Sequence, residues 1–106
     1  MTEEKIQPAI TLTGKQNRYL RGLGHGIKPV VMIGRHHLND DVVSATDEAL
    51  ATHELIKVKL QEGCLEDRKV VAAELAQRTG AAVAQILGRT FLLYRPAEEP
   101  VIKLPK

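Results

Sequence analysis

The sequence predicts a single mixed α/β domain: a four-stranded sheet with helices packed on it, its elements ordered α-β-α-β-α-β-β. Three observations lead there. Apolar residues alternate along the chain between helical spacing and short strand-like runs, and this repeats without an internal repeat or low-complexity tract. Two strand-helix-strand successions favour parallel pairing through crossovers. The last two apolar runs are joined only through Gly88, Arg89 and Thr90, which favours an antiparallel hairpin.

The elements follow in order. Thr13 with Gln16 three residues on fits a capping box, and Leu12, Gln16, Tyr19, Leu20 and Leu23 share a helical face, so a helix is expected near 13–23. Gly24, Gly26 and Pro29 break it, and VVMI before Gly34 reads as a buried first strand. Asn39 is a good N-cap, Asp40 and Asp41 suit a first turn, and Val42, Ala45, Ala49 with Val43, Thr46, Leu50 carry the second helix. HELIKVKL, 53–60, alternates Leu55, Lys57, Lys59 against Ile56, Val58, Leu60 and reads as a one-sided strand that His53 begins. Glu66 and Asp67 open a third helix in which Arg68, Val71, Ala72, Leu75, Ala76 and Thr79 share a face, with Gly80 just past its end. AVAQIL and FLLYR complete the sheet. The expected division is a flexible N-terminus over 1–10, one domain over 11–96 and an extended tail over 97–106, where Pro96, Pro100 and Pro105 fall.

Composition narrows the function. The chain has 106 residues, 43% hydrophobic and 26% charged, an ordinary globular balance for one core. No apolar run approaches the roughly 20 residues of a membrane span, and MTEEKIQPAI lacks a signal-peptide pattern. A single cysteine, Cys64, cannot form an internal disulfide, so a cytoplasmic location is expected. Candidate metal ligands His25, His36, His37, His53 and Cys64 lack paired spacing. Ser44, the sole serine, sits in a helix rather than an elbow motif, and no nucleotide-binding glycine fingerprint is present. The expectation is no enzyme, no cofactor, no metal and no small-molecule substrate.

The net charge of +2 hides a division. From Lys5 to Leu38 stand six basic residues, no acidic ones and three of four histidines, whereas Asn39 to Thr79 holds nine acids against five bases. On the first helix Lys15, Arg18 and Arg21 recur every third residue as a stripe. A solvated helix face explains such a stripe equally well. The complete lack of acids favours a polyanion partner, because a uniformly positive surface forgoes internal ion pairs while attracting phosphates at long range.

The strings LTGKQNRYLRGLGHGIKPVVMIG, HELIKVKL and AQRTGAAVAQILGRTFLLYRP, in this order and spacing, resemble the YhbY-type CRM domain in its single-domain bacterial form. The resemblance implies an RNA-binding fold related to the C-terminal domain of translation initiation factor three. It also implies association with ribosomal RNA or pre-ribosomal particles and assistance to large-subunit assembly. The family's G-x-x-G contact loop carries over to Gly34, Arg35, His36 and His37, where His37 replaces the second glycine. A glycine there would let the backbone approach phosphate; with His37 the loop either binds more weakly or has His36 and His37 substitute with hydrogen bonds or stacking, the second reading being favoured.

Asp40 and Asp41 repel phosphate from the second helix's N-terminus, so contacts are expected at Arg35 and across to Lys15, Arg18, Arg21, Lys28 and His25. Arg89 and Arg95 are expected to extend the patch, with Lys57 and Lys59 of second rank. Of the aromatics, Tyr19 and Phe91 are expected in the core, leaving too few stacking platforms for a sequence-reading binder. A monomer is the expected state. Two other classes compete: an adaptor docking an acidic protein on the same face, and a small enzyme around His36, His37 and Cys64.

Overall fold

The computed structural model describes residues 11–35 and 38–106. The N-terminal stretch 1–10 and the histidines His36 and His37 lie outside the described residues. The elements are α1 (Gly14–Gly24), β1 (Pro29–Ile33), α2 (Asp40–His53), β2 (Leu55–Leu60), α3 (Arg68–Thr79), β3 (Ala82–Leu87) and β4 (Thr90–Tyr94). They form one mixed sheet in the order β1-β2-β4-β3, with β1 parallel to β2 and the other two pairings antiparallel. The predicted fold class and element order are therefore those observed.

Local chemistry sets the boundaries. In α1 the Thr13 hydroxyl accepts from the Gln16 amide at 3.1 Å, and the Gln16 side chain accepts from the Thr13 amide, closing the capping box. Asn39 caps α2 by accepting from the Val42 N–H, and Asp67 caps α3 by accepting from the Lys69 N–H. The hairpin turn is Gly88-Arg89, and Gly88 takes a φ of 61° that a residue with a side chain rarely adopts.

One face of the sheet is covered by α2 and α3 and the other only in part. One face supplies Val31, Ile33, Ile56, Val58, Phe91 and Leu93 to a core completed by Leu50 of α2 and Val71, Ala72, Leu75 and Ala76 of α3. The other supplies Leu55, Ala84, Leu92 and Tyr94, covered by Leu20 of α1 and by Leu12, Ile27, Ile102 and Leu104. The C-terminal segment thus packs beside α1 on this second face. Glu54 holds it there: its carboxylate accepts from the amides of Ala97 at 2.8 Å, Ile102 at 2.8 Å and Val101 at 3.1 Å. The Gln16 side chain donates to the Pro105 carbonyl.

Four local expectations are corrected. His53 is the last residue of α2 and exposed, because the chain turns at Glu54 (φ 65°) before β2 begins at Leu55. Leu55, on the supposed polar face of β2, is buried because α1 and the C-terminal segment cover that end. β1 is not uniformly buried: Val30 and Met32 are each 52% exposed, since β1 is an edge strand whose second face α1 leaves open. Tyr19 is 42% exposed, while Tyr94, at 2%, joins Phe91 inside. Apart from these four, Arg68 lies exposed at the start of α3, its guanidinium donating to the Gly88 carbonyl at 2.7 Å.

Candidate nucleic-acid interface

The arginines and lysines fall into two groups by what their side chains touch. Arg68, Arg78, Arg89 and Arg95 are tied to backbone carbonyls. Arg78 donates to Leu38 O at 3.1 Å and Arg68 to Gly88 O. Arg95 donates to Thr79 O and to the Asp47 carboxylate, both at 2.7 Å, and to Asp47 O at 3.1 Å. Arg89 donates to Leu60 O at 3.0 Å and to Gln61 O. These four brace the fold.

Lys15, Arg18, Arg21, Lys28, Arg35, Lys57 and Lys59 form the second group. None makes a side-chain hydrogen bond or ion pair among the described residues. On α1, Leu20 and Gly24 face the sheet. At about 100° per residue, Arg21, His25, Arg18 and Lys15 occupy one outward arc centred about 160° from Leu20. Lys15, Arg18 and His25 are exposed and Arg21 half-buried. The C-terminal segment reaches α1 at Gln16, roughly 140° around from Arg21. The arc therefore stays uncovered.

Lys57 and Lys59 point to the same sheet face as α1, because their cross-strand partners are Leu92 and Thr90, and Leu92 packs with Leu20. Lys59 is exposed and Lys57 half-buried, which answers whether that face is open. Neither α1 nor the outward side of β2 carries an acid, whereas α2 and α3 on the opposite face carry Asp40, Asp41, Asp47, Glu48 and Glu74.

The two ends of the sheet differ. Gly34 and Arg35 leave β1 where β2 ends and β4 begins, so Arg89 lies at this end too. Arg95 follows Tyr94, paired with Leu55 at the other end, about 17 Å away along β2 at roughly 3.3 Å per residue. Arg95 is thus set apart from Arg35 and its side chain is occupied. Lys28 precedes β1 at that same far end, exposed, on the rim of an apolar cleft lined by Leu23, Ile27, Val30, His53, Leu55 and Ile102.

Gly34 has an ordinary φ, and its value is room: a Cβ there would lie 3.1 Å from the Gln61 side-chain oxygen. The loop after β2 supports Arg35 from behind, since a Cβ on Gly63 would lie 3.5 Å from the Arg35 Cβ. Arg35 itself is exposed. At the α2 N-terminus the Asn39 side chain takes one amide, and Asp40 and Asp41 occupy the first turn. These two carboxylates repel an anion from the helix N-terminus.

Cys64 is buried in the core rather than presented to solvent. Among the described residues no three His, Cys, Asp or Glu side chains form a metal-binding group, and no helix is long and apolar enough to cross a membrane.

Sequence reasoning left Lys57 and Lys59 out of the main site and missed the support given by Gln61 and Gly63. The alternation of HELIKVKL signalled the lysines, but no signal indicated how far α1 extends over them.

A three-helix, mixed-sheet domain with a cationic face, its side chains unpaired among the described residues, is suited to meet a polyanion. The chain belongs to the CRS1/YhbY (CRM) domain family, whose model matches residues 12–95. It is 41% identical over 96 residues, 91% of this chain and 97% of the other, to a protein of Haemophilus influenzae named RNA-binding protein. It is 38% identical to the candidate RNA-binding protein YqeI of Bacillus subtilis, covering 89% of this chain and 99% of that one. The solution structure of SAV1595 from Staphylococcus aureus, a candidate RNA-binding protein, superposes with a TM-score of 0.77. It shares 38% identity over 90% of this chain and all of that one.

Proposed function

We propose that this protein binds RNA through the uncovered face formed by α1, β2 and the Gly34-Arg35 loop, and that its RNA is ribosomal, in the precursor of the large subunit. The observation that carries the reading is the set of seven cations that have no side-chain partner among the described residues, on or beside α1 and the outward side of β2, neither of which carries an acid. Leaving such charges unpaired costs the fold self-repulsion and gains attraction for phosphates. The names of its relatives support RNA over other polyanions. The ribosomal assignment rests on the family resemblance of the sequence. The protein acts as a monomer in the cytoplasm, holding RNA by shape and phosphate contacts rather than by catalysis.

Cross-linking in cells followed by sequencing of the attached RNA tests the target; reads concentrated in large-subunit ribosomal RNA are expected. Binding in vitro is expected to weaken as salt rises, with a log-log slope of about −0.7 per phosphate neutralised on a single strand. A flat salt response, or cross-links spread without preference over cellular RNA, overturns the proposal. An acidic protein that remains bound to this face after nuclease treatment would favour the adaptor reading instead.

A further inference from the structure

Beside the Gly34-Arg35 loop lies a hollow of about 480 Å³ lined by Met32, Lys59, Leu60, Gln61, Glu62 and Arg89. We propose that it receives one unpaired base of the bound RNA. The inference rests on the RNA-binding reading and adds to it a place where RNA is read in single-stranded form.

Four features converge. The hollow's size falls within the roughly 300–1,000 Å³ typical of small-ligand clefts. Its apolar wall is Met32, 52% exposed on an edge strand, where a thioether makes favourable contact with an aromatic ring. The Gln61 side-chain amide donates to the Met32 sulfur at 3.7 Å, so the two side chains meet in the hollow. Arg89 is held through its Nε to Leu60 O and an Nη to Gln61 O while the residue stays exposed. A guanidinium plane fixed in this way loses little freedom when a base stacks on it.

The charges decide between a base and a phosphate. Lys59 and Arg89 would attract either, but Glu62 on the same wall repels phosphate and accepts from the ring imino or exocyclic amino group of a base. Lys59 and the remaining Arg89 donors then suit a base carbonyl, and Arg35 lies beside the hollow for the adjoining phosphate. The loop and the hollow share support: the Gln61 backbone N–H donates to Ile33 O at 2.9 Å, immediately before Gly34.

The test uses two RNA hairpins of one sequence, one fully paired and one carrying a single unpaired 2-aminopurine. Wild type is expected to bind the interrupted hairpin about tenfold more tightly and to change the probe's fluorescence, in keeping with base-stacking contributions. Met32→Ala should reduce that preference severalfold while leaving affinity for the paired hairpin unchanged, and Arg89→Lys should reduce the preference as well. Because Met32 is half exposed, Met32→Ala is expected to keep the wild-type melting temperature, so it remains informative if Arg89→Lys fails to fold. Equal affinity of wild type for both hairpins, or an undiminished preference in Met32→Ala, overturns the hollow's role while the RNA-binding reading stands. No binding to either hairpin at low salt overturns both.

Discussion

Glu54→Gln is expected to be the most destabilising single-atom change at the protein's polar interior. The residue is 3% exposed, and its carboxylate receives the amides of Ala97, Val101 and Ile102 at 2.8–3.1 Å. Burial alone would raise its pKa, but those three donors outweigh burial and hold it below the ordinary 4.5. Hydrogen bonds to a charged acceptor are worth about 1.5–3 kcal/mol each, and neutral ones about 1 kcal/mol. Glutamine keeps one acceptor oxygen, turns an NH2 toward at least one of the amides and removes the charge. The net loss should be about 2–3 kcal/mol, equivalent to roughly 10–20 °C in melting temperature for a domain of this size. Thermal denaturation followed by circular dichroism measures it. Because the folded pKa is depressed, the carboxylate's stabilisation is complete above the unfolded value near 4.5 and fades as pH falls through the folded value. Wild type should therefore lose stability below about pH 4.5 in a window where the variant's curve is flatter. Removing residues 97–106 should cost a similar amount and be strongly non-additive with Glu54→Gln. A melting-temperature change under 4 °C, roughly 1 kcal/mol or less, would refute the assignment of Glu54 as the anchor of the C-terminal segment.

Other outcomes follow from the same contacts. Arg18→Ala with Arg35→Ala should weaken RNA binding and reduce the salt slope by about 1.4 if each side chain neutralises one phosphate, with little change in melting temperature because both are exposed; filter binding across a salt series measures this. Arg95→Ala should do the reverse, costing about 1–3 kcal/mol through its bonds to Thr79 and Asp47 while RNA affinity is unchanged. Gly24→Ala places a Cβ 2.5 Å from a Leu92 methyl and should cost about 1–3 kcal/mol, read in urea denaturation.

Much of the fold is legible in the sequence because its signals are local. Thr13, Asn39, Asp67 and Gly80 mark helix ends through bonds within a few residues, and the switch from helical to alternating apolar spacing marks the strands. The errors fall where distant segments meet. Leu55 is buried by α1 and the C-terminal segment, Tyr19 is left outside by the angle at which α1 lies, and β1 is half open because it is an edge.

The candidate site divides the same way. Sequence by itself determined the acid-free charge of the first third of the chain and the polar alternation of Lys57 and Lys59, since both are properties of neighbouring residues. It could not separate a bracing arginine from an available one, because Arg89 and Arg95 find their acceptors 16 to 48 positions away. Tertiary structure alone decided that Arg95 faces Asp47 at the far end of the sheet, that Arg89 is pinned beside Met32, and that Glu54 draws the chain's end across the second face. Those outcomes depend on which carbonyls and amides the folded backbone brings within hydrogen-bond reach, and local pattern carries no record of that.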